Sequence, residues 1–187
     1  IAGNHTVTGN QVVTGSQSAT GGLAPAGGFA ATPRMVHTGN TTIMAAADGT
    51  DTTPVATETY VSEIFIPCNM TITGIAVMNG SVAGTDKLCA ILYDSNGVPV
   101  AQSAAAGVTA TGVDSFQRLP LTAAYEAKGP ATYYIGCQAN GTTTRLNTHP
   151  VGNFGAQKKT GETFGTATAL TIAGTFTANE GIIASLY

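Results

Sequence analysis

Short apolar runs separated by turn residues recur over residues 34–187, and no window carries a stripe of apolar residues at helical spacing. The runs are TETYVSEIFI (57–66), MTITGIAVM (70–78), KLCAILY (87–93), VPVAQS (98–103), FQRLPLT (116–122), ATYYIGCQA (131–139), TTTRLN (142–147) and GIIASLY (181–187). They are rich in the β-branched and aromatic residues that fit a pleated surface, so the pattern predicts strands. Thr and Gly are too frequent for long helices to persist. Some runs alternate in polarity and others, such as IAVM (75–78), are apolar on both faces, which points to two packed sheets. The expectation is an all-β domain, an antiparallel β-sandwich of jelly-roll or immunoglobulin-like type.

Turn residues set the connections. Asn-Gly pairs stand at 79–80, 96–97 and 140–141, each beside strand-like runs. Asn-Gly is a strong hairpin signal because both residues tolerate positive φ. The pair at 140–141 therefore predicts a tight hairpin between 131–139 and 142–147, and ADGTDTTP (47–54) reads as a break.

Residues 4–21 differ in texture: NHTVTG, NQVVTG and SQSATG are six-residue blocks, each closing on Thr-Gly. A period this short excludes helix-pair repeats and fits extended structure. Val7, Val13 and Ala19 share one phase, but three such rungs on one chain bury almost nothing. Association would supply the missing neighbours, either around a shared axis or along another protein's sheet. GGLAPAGGFAATP (21–33) follows, with only Leu23 and Phe29 as apolar anchors. Residues 1–33 are thus expected to form an extended arm, docking through Val7, Val13, Leu23 and Phe29, and residues 34–187 a single domain.

Composition narrows the function. Charged residues make up 9% of the 187, against a norm of about 25%. So few charges do little to keep copies apart, which suits a protein of a fixed assembly. Seven Lys and Arg under a net charge of -3 argue against nucleic acid and anionic membranes as partners. No apolar run approaches the ~20 residues of a membrane-spanning helix. The start, IAGNHTVTG, has no signal-peptide pattern, and its first residue is not Met, which leaves targeting open.

Candidate chemistry is sparse. Cys68, Cys89 and Cys137 fit neither a disulfide framework nor a zinc pair, and Cys89 and Cys137 sit in apolar runs where a thiol acts as a small hydrophobe. A reducing compartment is compatible with this. His5, His37 and His149 have no second ligand at metal spacing. Asp48, Asp51 and Asp94 could each offer oxygens to calcium, but no complete loop surrounds them, and Asp94–Gly97 reads as a hairpin turn. Glu58, Glu63, Asp114 and Glu126 present no motivated carboxylate pair. Five Asn-x-Ser/Thr sequons, at Asn4, Asn40, Asn69, Asn79 and Asn140, arise freely in a chain this rich in Asn and Thr. Trp is absent, and Tyr60, Tyr93, Tyr133 and Tyr134 lie in strand runs, leaving Tyr125 and Tyr187 as free candidates for sugar stacking. No enzyme activity, metal or cofactor is expected.

The hexads, of the type GN-x-x-VTG, resemble those in fibre and spike proteins of tailed bacteriophages. The stretch TYVSEIFIPCNMTITGIAVMNGSVAGTDKLCAILYDSNGVPVAQSA, with KGPATYYIGCQANGTT and TFTANEGIIASLY, is similar to a domain of phage virion structural proteins. The resemblance covers most of residues 57–187. It implies a β-sandwich capsid decoration protein, head fibre or tail-fibre module, usually trimeric and without catalytic activity. The leading expectation is a decoration protein that stabilises a capsid, with the major capsid protein or other virion proteins as partners and assembly in the host bacterial cytoplasm. The alternative is a fibre tip binding a host-surface glycan.

Overall fold

The apolar runs become strands, and their alternation sets which face each strand buries. In a computed structural model, the described residues are the backbone of 36–37 and residues 49–150, 152 and 155–187. The strands among them are β1 (Val36–His37), β2 (Thr50–Thr52), β3 (Glu58–Ile66), β4 (Met70–Met78), β5 (Lys87–Tyr93), β6 (Pro99–Gln102), β7 (Val108–Thr109), β8 (Phe116–Ala127), β9 (Ala131–Ala139), β10 (Leu146–Thr148), β11 (Gln157–Thr160) and β12 (Ala184–Leu186). No helix occurs among the described residues, so none there is long and apolar enough to cross a membrane. The arm and its anchors Val7, Val13, Leu23 and Phe29 lie outside the described residues.

All strand pairs are antiparallel. One sheet runs β1-β12-β4-β8; a second runs β11-β3-β9-β5-β6, with β7 also on β5; β10 and β2 form a small third ladder. The architecture is all-β and consistent with a β-sandwich. The main core lies between the two large sheets. Ile64, Ile66, Leu88, Leu92, Tyr133 and Ile135 come from one, and Ile72, Ile75, Val77, Leu119, Ala184 and Leu186 from the other. These residues alternate along their strands, as a half-buried pleat requires, except on β4, where a register shift between Ile72 and Gly74 brings Ile72 and Ile75 to the same face.

The opposite face of the six-stranded sheet is also buried. Val61, Ile91, Tyr93 and Tyr134 point there and pack against Leu170, Ala167 and Ile172. Those three belong to the segment 161–183, which lies between β11 and β12 and carries no strand. KLCAILY is apolar at every position but its first because both its faces are covered.

Asn96-Gly97 closes the β5–β6 hairpin. Gly97 has φ +78, its N–H donates to Asp94 O at 3.0 Å, and the Asp94 carboxylate accepts from the N–H groups of Asn96 and Val98, each at 2.9 Å. The hairpin expected at 140–141 does not form. β9 pairs with β3 and β5, whereas β10 pairs with β2 in another ladder, and the strand read over 142–147 is confined to Leu146–Thr148. The cause is local. Asn140 stays on the sheet, its Oδ1 accepting from Lys87 N–H at 2.7 Å, while the Asp86 carboxylate accepts from the N–H groups of Thr143 and Thr144 at 2.6 and 2.8 Å. Gly141 lacks positive φ and lies so close to Asp86 that a Cβ there would meet its carboxylate. The chain is thereby led off β9 instead of turning back along it. Asn79-Gly80 closes no hairpin either, since β4 pairs with β8 and β12. The break at 47–54 contains β2.

Candidate functional site

Strand ends and loops gather the polar side chains into two constructions. The first is a loop cluster of 79–86, 109–117 and 140–145, clamped by side chains onto backbone. Besides Asp86, the Asp51 carboxylate accepts from Ser81 N–H at 2.9 Å and Ser81 Oγ at 2.6 Å, with Arg145 Nε 3.7 Å away. Asn79 donates to Thr111 O and Gln117 Oε1, and Gln117 donates in turn to Thr109 O. Asp51, proposed by sequence as a possible calcium ligand, is therefore engaged as a loop cap. No group of three His, Cys, Asp or Glu among the described residues could hold a metal ion.

The second construction stands on β11. Lys158 and Lys159 turn to opposite sides of the strand, and each meets carboxylates. Lys158 Nζ is 3.1 Å from Glu58 and 3.9 Å from Glu180; Lys159 Nζ is 2.9 Å from Glu162. Tyr60 donates to Glu58 at 2.7 Å. Burial first, and then its hydrogen bond to Glu58, push the Tyr60 hydroxyl well above the ordinary tyrosine range. Thr168 donates to Glu162 and is also bonded by Lys159, which donates further to Ala169 O at 2.9 Å. The adjacent lysines are thus neutralised within the fold, which removes the one paired-cation feature of the sequence from the surface field. Beside them lies a hollow of ≈ 280 Å³ lined by Gln157–Thr160, Leu170, Thr171 and Ala173. It falls below the roughly 300–1,000 Å³ of small-molecule pockets.

The remaining sequence candidates are placed individually. Glu63 sits on β3 beside Gly155, Glu126 accepts from Thr71 at 2.7 Å, and Asp114 takes positive φ in the loop before β8. His149 is fully buried, its backbone held by Gly181 and Asn179. Tyr60, Tyr93, Tyr133 and Tyr134 are buried as expected. Tyr125 and Tyr187 are engaged internally: Tyr125 meets Tyr133 edge-on with centroids 6.3 Å apart, and the Tyr187 ring lies over Gly74 with the Arg118 guanidinium 4.8 Å from its centroid. Cys89 and Cys137 are buried and free, their thiols pushed up by burial, and Cys68 is exposed. Three sequon asparagines have structural work for their side chains: Asn79 and Asn140 as above, and Asn69 accepting from Gly129 N–H at 3.0 Å.

Asp86, Gln117 and the Glu58–Tyr60–Lys158 contacts escaped the sequence reading. The bonds of Asp86 to Thr143 and Thr144, of Asn79 to Gln117 and of Lys158 to Glu58 join residues distant along the chain, and the short-range bonds of Tyr60 to Glu58 and of Gln117 to Thr109 follow no motif spacing. No family model, curated protein or solved structure matches this chain.

Proposed function

We propose that this chain is a non-enzymatic virion protein of a tailed bacteriophage, a homotrimeric jelly-roll knob held on the capsid by residues 1–33 and assembled in the host cytoplasm. The carrying observation is the order of strand pairing. β5 pairs with β6, β4 with β8, β3 with β9 and β1 with β12, so the pairs nest inside one another and alternate between the two large sheets. A ribbon rolled up on itself gives this order, and the jelly roll is the architecture of many viral capsid and lectin domains. An immunoglobulin-like order places consecutive strands side by side more often. The engaged carboxylates and small hollow suit a mechanical role, in which modest contacts repeated on a symmetric lattice hold by effective concentration.

Cosedimentation with purified phage capsids tests the reading. The full chain is expected to bind as a trimer by light scattering, and deletion of residues 1–33 to abolish binding. Specific binding of the 34–187 fragment on a glycan array, with no capsid binding by the full chain, would replace this reading with the fibre-tip alternative.

A further inference from the structure

β11 ends the six-stranded sheet, and only one of its edges is paired. Gln157–Thr160 lie opposite Glu58–Val61 on β3. In an antiparallel strand the backbone groups of alternate residues point to opposite sides, so about half of those on β11 face away from β3. Among the described residues no turn or loop bond takes them up. Native sheets often guard such an edge with free lysine charge. Here the ammonium groups of Lys158 and Lys159 are drawn to Glu58, Glu180 and Glu162, to either face of the strand, which leaves the backbone edge between them open. The hollow runs beside the same strand, with Leu170, Thr171 and Ala173 as its far wall.

Such an edge suits a slender, uncharged, extended chain. Residues 4–21 contain no Asp, Glu, Lys or Arg, are rich in Val and Thr, and place Gly at every sixth position, where backbones can approach closely. We propose that β11 receives residues 4–21 of a second copy of this chain as an added strand. The inference rests on the reading of the arm as a segment that docks on another polypeptide, and it names the surface. Gly21 precedes Val36 by 15 residues, a tether of up to roughly 50 Å when extended. Passed head-to-tail round a closed ring, such arms would cover every β11 edge.

Cysteine cross-linking in the full chain tests this. In a Cys68→Ser background, copies carrying Val7→Cys, Val13→Cys or Ala19→Cys are co-expressed with differently tagged copies carrying Thr160→Cys, an exposed position at the end of β11. Val98→Cys, exposed on the β5–β6 turn, replaces Thr160→Cys in the control. At least one arm position is expected to give mixed interchain disulfides at least about tenfold faster than its control. Equal rates at all three positions overturn the inference, as does a link found only within one chain when both cysteines share it. If cross-linking fails while capsid binding still depends on residues 1–33, the β11 assignment falls and the docking arm stands.

Discussion

The two faces of the six-stranded sheet are buried by different means. The inner face meets another sheet through alternating aliphatic side chains, a contact spread over β3, β5 and β9 on one side and β4, β8 and β12 on the other. The outer face meets a strandless segment that contributes Leu170, Ala167 and Ile172 and is otherwise tied by polar side chains and by scattered backbone bonds, such as Leu170 N–H to Gly97 O at 2.8 Å and Thr177 N–H to Ala156 O at 2.9 Å. Gln138 Nε2 donates to Thr166 O and its Oε1 accepts from Gly165 N–H; Gln102 donates to Gly165 O; Gln157 accepts from Ala173 N–H. Apolar contact of the first kind is cooperative and tolerates no missing volume. Amide clamps of the second kind hold a backbone lacking ladder bonds of its own, so the outer cover should open locally while the sandwich stays folded.

Truncation on the inner face should give the largest effect. Leu92 is fully buried between the sheets. Leu92→Ala is expected to lower global stability by about 3–4 kcal/mol through lost transfer energy and the cavity left behind. Chemical denaturation checks this; a loss no greater than that of an outer-face substitution would erase the distinction between the faces.

Next comes the clamp that steers the chain off β9. Asp86→Ala leaves the N–H groups of Thr143 and Thr144 without their acceptor, and Thr144 is fully buried. A loss of about 2–3 kcal/mol is expected, with faster amide exchange at 141–145, because the buried Thr144 donor keeps its full desolvation penalty and the Thr143 tie is lost with it. Exchange unchanged at those amides would show that the carboxylate does not direct the loop.

The outer cover should respond more weakly and more locally. Leu170→Ala removes its main apolar anchor, and about 1–2 kcal/mol is expected because the segment can settle into the space. Hydrogen exchange should quicken across 161–180 and leave β5 and β9 unchanged. Acceleration spreading evenly through the sheet would mean that the cover and the sandwich unfold as one unit.

The same contrast explains what the sequence disclosed. β3, β4, β5 and β9 match their apolar runs within a residue at either end because hydrophobic period and burial agree there. β2 and β11, reading TDT and QKKT, carry no such pattern; they are strands because Leu146–Thr148 and Glu58–Val61 offer them partners. The segment 161–183 carries no strand, although the pattern reads GIIASLY as one from 181, and it covers a sheet face through Ala167, Leu170 and Ile172, to which the sequence pattern assigns no role. Asn140-Gly141 misled because turn chemistry is a local preference and Asp86, 55 residues earlier, overrides it. Of the two polar constructions, single members such as Asp51, Asn79, Asn140 and Glu58 were visible as candidates, but the contacts that join them were not, and of the carboxylates that hold the lysines only Glu162, three residues after Lys159, is local.

Tyr93 gives the smallest expected effect and probes the outer face most finely. Its hydroxyl is buried with no hydrogen-bond partner among the described residues, beneath the cover and within the charge field of Glu162. Burial, then that negative charge and Cys89, hold its ionisation far above the ordinary value of 10.0. Above about pH 10 the unfolded chain releases this proton while the folded chain keeps it, so unfolding becomes more favourable as pH rises. The stability it contributes is whole below that point and declines above it by about 1.4 kcal/mol per pH unit. Tyr93→Phe should flatten the alkaline decline by that slope, leaving the share due to the other groups that burial pushes up, Tyr60, Tyr125, Tyr134, Tyr187, Cys89 and Cys137. At neutral pH it should gain up to about 1 kcal/mol, since an unpaired buried hydroxyl is replaced by hydrogen at nearly constant shape. A loss of stability at neutral pH would instead mean that the hydroxyl is satisfied beneath the cover, and that the outer face is sealed as tightly as the inner one.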